Sequence, residues 1–147
     1  MKLPISPGLR KALCYTLPVA ISRHGELSMS EQESRELTKR VCALLGVREP
    51  FIRWSGRSRN GRYRLGTILI GPRAWRGVED CLLHEIAHHV ARVRCLREGW
   101  TRSGQGPHGT RFQKALLDVV AANGKPYAWA TEYRALRRYG IQRQEAA

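Results

Sequence analysis

Residues 84–88 read His84-Glu85-Ile86-Ala87-His88, an HExxH pentapeptide inside an apolar stretch of helical periodicity. Two histidines four positions apart project from one helix face and can share a metal ion. Glu85, one residue on, is rotated to the side, where it can reach a metal-bound water rather than the metal. The chemistry this spacing suits is zinc-assisted hydrolysis. Zinc lowers the pKa of its water and polarises the scissile carbonyl, while Glu85 takes the water's proton as general base and passes it to the leaving amine.

HExxH supplies two ligands, and a catalytic zinc needs a third plus an open position. A metzincin would have Gly at 91 and His at 94; this chain has Ala91 and Arg94, which excludes that spacing. Glu98 falls in a loop and Glu132 lies far along the chain, so a thermolysin-like glutamate has no convincing helix to carry it. His108 is the better candidate. It stands in Pro107-His108-Gly109-Thr110-Arg111-Phe112, where a glycine-rich loop gives way to another helix. A connection of this length lets the second helix fold back on the first and present His108 to the metal. Gly109 leaves room for the backbone, and Phe112 can anchor the helix in the core. A purely structural zinc needs a closed fourth position, for which no residue stands out.

HEIAH at 84–88 followed by HGTRF at 108–112 resembles the SprT-like zinc metallopeptidases, the family of the Spartan proteases, whose pattern is HExxH followed by HGxxF. The resemblance covers residues 28–124. It implies a minimal zincin-like domain of α+β class, one catalytic zinc ion and a protein or peptide substrate. Some members of that family degrade proteins crosslinked to DNA. The chain departs from the pattern in having no cysteine beyond Cys95, so the zinc ribbon of bacterial SprT proteins has no counterpart. The ubiquitin-binding and clamp-binding tails of the Spartan proteins are also missing. The sequence reads as the catalytic core alone.

At 147 residues the chain is expected to form one domain, and its hydrophobic fraction of 42% argues against wholesale disorder. The net charge of +14, carried mostly by arginine, favours anionic partners, with nucleic acid first and anionic membrane second. An arginine-rich host proteome would give the same composition. Cys14, Cys42, Cys81 and Cys95 form no CxxC pair, and reduced thiols in a cytoplasmic protein are the expectation. Lys2, Arg10 and Lys11 before Ala12–Ile21 faintly imitate a signal peptide, but Pro18 interrupts the run and no A-x-A site follows. No stretch approaches transmembrane length, so no membrane insertion is expected, and the protein reads as a monomer.

The elements that must position the motif can be read in order. Residues 1–27 form an irregular arm. Ser30 with Glu33 makes a capping box, and Leu37, Val41, Leu44 and Leu45 predict a helix over 30–45 with Gly46 as its stop. Phe51–Trp54 and Tyr63–Ile70 read as antiparallel strands meeting at Asn60-Gly61, because both residues tolerate positive φ. A helix from Val78 to about Cys95 or Leu96 carries the pentapeptide. Another opens near Gly109–Thr110 and closes at Asn123-Gly124, and a last one is expected over 128–139, ahead of a frayed tail at 140–147. The fold class is α+β, with helices packed on a small antiparallel sheet or hairpin.

Around the hairpin, Arg53, Trp54, Arg57, Arg59, Arg62, Tyr63 and Arg64 combine cations with aromatics, a mixture that suits single-stranded DNA or another nucleic acid. The plainer reading is an edge hairpin whose charges block aggregation. His89 is rotated about 100° from His88, which puts it at the surface or behind the ligands. Cys81 and Cys95 read as small residues supporting the helix. Tyr127, Tyr133 and Tyr139 are possible oxyanion donors, and nothing selects among them. The leading reading is a zinc endopeptidase acting on proteins bound to DNA. The alternatives are the same chemistry without DNA, in a regulatory, phage-encoded or toxin protease, and a non-enzymatic nucleic-acid-binding module stapled by zinc.

Overall fold

The computed structural model describes residues 29–74, 77–99, 107–125 and 127. The arm at 1–27, the helix expected over 128–139 and the tail at 140–147 lie outside the described residues. Among the described residues three helices pack with a three-stranded sheet, so the architecture is mixed α+β.

Helix α1 (Glu31–Leu44) starts where the capping box places it: the Ser30 hydroxyl accepts from the Glu33 N–H at 3.1 Å. Its stripe of Leu37, Val41 and Cys42 is buried, and Gly46 leaves the helix at φ 64°. The sheet is built from β1 (Phe51–Trp54), β2 (Arg62–Arg64) and β3 (Thr67–Ile70), in the order β1-β3-β2. Strand β3 takes the centre because its TILI sequence carries no charge, while Arg62 and Arg64 sit on an edge strand, where charge is tolerated.

This corrects the expected antiparallel hairpin in two respects. β1 runs parallel to β3, and only β2–β3 is antiparallel. The tight turn is Leu65-Gly66, at φ 47° and 84°, a two-residue connection joining Arg64 to Thr67. Asn60-Gly61 instead belongs to the approach to β2, and Gly61 does not have a positive φ. What Gly61 supplies is closeness to Glu85 on the neighbouring helix.

Helix α2 (Val78–Arg97) runs through the middle of the molecule. Cys81, Leu82, Leu83, Ile86, Ala87 and Val90 are all buried, because the sheet and α1 cover one flank and α3 (Thr110–Asn123) the other. Phe112, Leu116, Leu117 and Val120 form the inner face of α3, which ends at Gly124 in the left-handed conformation expected of a C-cap. Arg94, at the position where a metzincin has its histidine, pairs with Asp118 at 2.7 Å and ties α2 to α3. Arg40 and Glu79 both bond the Asn123 side chain, joining the end of α3 to α1 and to the start of α2. Among the described residues no helix is long and apolar enough to cross a membrane.

Candidate metal centre

The back-folding of α3 onto α2 brings three histidines together. His84 and His88 lie one turn apart on α2, and His108 comes from the segment just before α3. The Nε2 atom of His84 is 3.1 Å from that of His108 and 3.2 Å from that of His88, and His88 and His108 are 3.2 Å apart. This near-equilateral triangle is what a metal ion asks for: tetrahedral ligands about 2.0–2.1 Å from zinc stand about 3.3 Å from one another. The donor set therefore fits an ion, and three neutral imidazoles suit zinc and its borderline-soft neighbours.

The rings are held from below by Phe112. Its centroid lies 4.9 Å from His84, 4.3 Å from His88 and 4.8 Å from His108, and the side chain is buried. The anchor expected in the core is thus also the floor of the triad. Gln113 fixes the entry to α3 by donating to the His108 carbonyl at 3.1 Å. Burial and the neighbouring imidazoles His84 and His108 push the His88 pKa down to about 3, and burial lowers that of His108. Their lone pairs are thereby free of protons at neutral pH, the state that binds a metal. His108 is exposed, so the triad opens to solvent on that side.

Glu85 points to the other flank. It is 7% exposed, and burial pushes its pKa up to about 7, opposed in part by a hydrogen bond from the Tyr63 backbone N–H. The seat that receives it is Gly61. A Cβ at that position would stand 2.8 Å from Glu85 Cγ and 3.0 Å from Oε1, so only glycine leaves room for this glutamate conformation. The hairpin thus holds the carboxyl group through Gly61 and Tyr63, two residues more than twenty positions away in sequence.

Tyr63 has a second task. The Gly66 N–H donates to Tyr63 Oη at 3.1 Å, and His89 Nδ1 lies 3.1 Å from the same oxygen. His89 Nε2 is 2.6 Å from the Arg48 carbonyl. A carbonyl can only accept, so Nε2 carries the proton and Nδ1 accepts from the Tyr63 hydroxyl. The chain Gly66–Tyr63–His89–Arg48 pins the β2–β3 turn and the segment before β1 to α2. The Tyr63 ring also lies parallel to that of His88, with centroids 6.5 Å apart.

His89 is accordingly buried, behind the ligands and not at the surface. Cys81 is buried and Cys95 half-buried, where it accepts from Arg111 at 3.1 Å; neither belongs to the histidine cluster. Of the hairpin residues, Arg53, Arg57, Arg59, Arg62 and Arg64 are exposed, whereas Trp54 and Tyr63 pack inward against the core. The two aromatics are half-buried, so neither offers both faces to a base. Tyr127 is buried, and Tyr133 and Tyr139 lie outside the described residues. Sequence reasoning missed Gly61, the Tyr63 N–H and the bonds of His89, because no spacing rule links β2 to α2.

Compared with protein-family models, curated proteins and solved structures, the chain matches none.

Proposed function

We propose that the protein is a zinc-dependent peptidase in which His84, His88 and His108 hold the ion and Glu85 is the general base. The observation that carries the reading is the convergence of three imidazoles beside a carboxyl group seated by Gly61 and Tyr63. Zinc bound there supplies Lewis acidity toward a carbonyl and an activated water. Glu85, with its pKa raised to about 7, is matched to taking a proton from water near neutrality and giving it to the leaving amine nitrogen. The Tyr63 N–H fixes which way the carboxyl group faces, and Phe112 keeps the ligand rings from turning.

The resemblance of HEIAH and HGTRF to the SprT-like peptidases supports a minimal zincin domain and a peptide bond as the target. A structural staple is the weaker reading, because the cluster holds no fourth side chain among the described residues and His108 is exposed. The net charge favours substrates carried on nucleic acid.

Zinc content and cleavage of an unstructured protein such as casein, measured before and after chelation, test the proposal. One zinc per chain, with cleavage lost on chelation and restored by zinc, is the expected result. His108→Ala should lower zinc affinity on the order of tenfold to a hundredfold or more. Full zinc content in that variant would remove His108 from the ligand set.

A further inference from the structure

The outer face of the sheet carries a second cluster, independent of the metal centre. Strand alternation turns Ile52, Ile68, Ile70 and Tyr63 toward the helices and leaves Phe51, Arg53, Arg62 and Arg64 on the opposite side. The register places Arg53, Leu69 and Arg62 in one cross-strand row and Phe51, Thr67 and Arg64 in the next. With strands about 4.8 Å apart, the Cα atoms of Arg53 and Arg62 stand about 10 Å apart across β3. Arg57 and Arg59 continue the cations into the loop that follows β1.

Two features distinguish this face from an ordinary solvated surface. No Asp or Glu occurs between Glu49 and Glu79, and among the described residues none of these five guanidinium groups is in an ion pair. Phe51 is 68% exposed on the same face, and Leu65, 67% exposed, forms the neighbouring turn at a positive φ where glycine or asparagine is the usual occupant. Leu44 and Leu96 are as exposed elsewhere, so exposure alone is ordinary; what sets Phe51 apart is a free ring among unpaired guanidinium groups.

The geometry points to this face as a binding platform for single-stranded nucleic acid. Guanidinium groups strung along the strands match a linear polyanion, and an exposed ring beside Arg53 matches a base to stack. A membrane surface would be met by apolar residues at one tip ringed with cations, whereas these arginines extend from the turn to the far loop. The groove beside Phe51, about 480 Å³ between α1 and the β1 edge, mixes Arg35 and Lys39 with Glu36 and Glu49 and gives a polyanion no advantage. Glu85 and the histidines lie on the other side of the sheet, so a bound strand leaves them accessible.

The test is fluorescence anisotropy of a short fluorescein-labelled oligodeoxythymidine titrated with the full chain between about 50 and 200 mM salt. The triple variant Arg53→Gln/Arg62→Gln/Arg64→Gln should bind more weakly, and its slope of log affinity against log salt should be shallower by about 2. Phe51→Ala should weaken binding about tenfold with the slope unchanged. Arg53→Gln alone should lower the slope by about 0.7, which keeps the test open if the triple variant is unstable. Metal-stripped protein and Glu85→Gln should bind as the wild type does, so the outcome is independent of the peptidase proposal. No binding by the wild type, equal affinity in the arginine variants, or capture by phosphatidylserine vesicles without oligonucleotide binding would each overturn the inference.

Discussion

Gly61→Ala isolates the seat of Glu85 from everything else in the fold. Gly61 does not lie in the left-handed region, so alanine meets no backbone strain there and should restrict the unfolded chain, worth about 0.4–1 kcal/mol. Against this, the new Cβ stands 2.8 Å from Glu85 Cγ and 3.0 Å from Oε1. Relief requires a shift of about 0.5 Å or a new rotamer, and overpacking of this kind costs about 1–3 kcal/mol. Net destabilisation is therefore small, about 0–2.5 kcal/mol. The carboxyl group, however, is pushed off the Tyr63 N–H. A misplacement approaching 1 Å costs about a hundredfold in rate, so kcat should fall about tenfold to a hundredfold. Steady-state hydrolysis of a fluorogenic peptide, with zinc content and Tm measured in parallel, reads all three quantities. Wild-type kcat in a folded, zinc-loaded Gly61→Ala protein would refute the claim that this glycine positions the base.

Tyr63→Phe removes one hydroxyl from the chain that joins Gly66, His89 and Arg48, and should cost about 1–2 kcal/mol, read as a lower urea midpoint. pH acts on the metal-free protein through opposed groups: Glu85 on one side, and on the other His88 together with His89 and His108, which burial also lowers. Glu85, raised from 4.5 to about 7, contributes stability present below pH 4.5 and lost as pH rises to 7. His88, lowered from 6.5 to about 3, loses stability as pH falls from 6.5 to 3. Just below pH 6.5 the histidines together outweigh Glu85, so urea midpoints in chelator should rise with pH toward 6.5 and decline from there to 7; a steady fall across pH 4.5–6.5 contradicts the assignments. Burial pushes the Cys42 thiol up to about 12, so alkylation mapped by mass spectrometry at pH 8 should spare Cys42 until the protein is unfolded.

The features legible in the sequence are those governed by neighbours along the chain. Ser30 with Glu33 marked the start of α1, and the apolar period from Val78 marked α2 within two residues of its end. Asn123-Gly124 marked the close of α3. His108 was reachable because HExxH leaves a ligand missing and little else downstream could supply it. The sheet was harder. Asn60-Gly61 has the composition of a tight turn, but Gly61 is spent on close approach to Glu85, and the turn formed at Leu65-Gly66 despite a leucine in a position that favours glycine. Tyr63 and Trp54 looked like surface aromatics because alternation in strands of three and four residues is too short to show which face packs inward. These failures share a cause: each depends on contacts between segments distant in sequence, and local pattern carries no record of them.

The central claim is that Glu85 performs proton transfer beside a histidine-bound zinc. Glu85→Gln keeps the shape and the Tyr63 hydrogen-bond acceptor while removing the base. The decisive measurement is kcat/KM for peptide hydrolysis by wild type and Glu85→Gln at matched zinc content. A loss of at least about a hundredfold, with zinc and fold retained, is the predicted result. Hydrolysis at the wild-type rate in the zinc-loaded variant would contradict it.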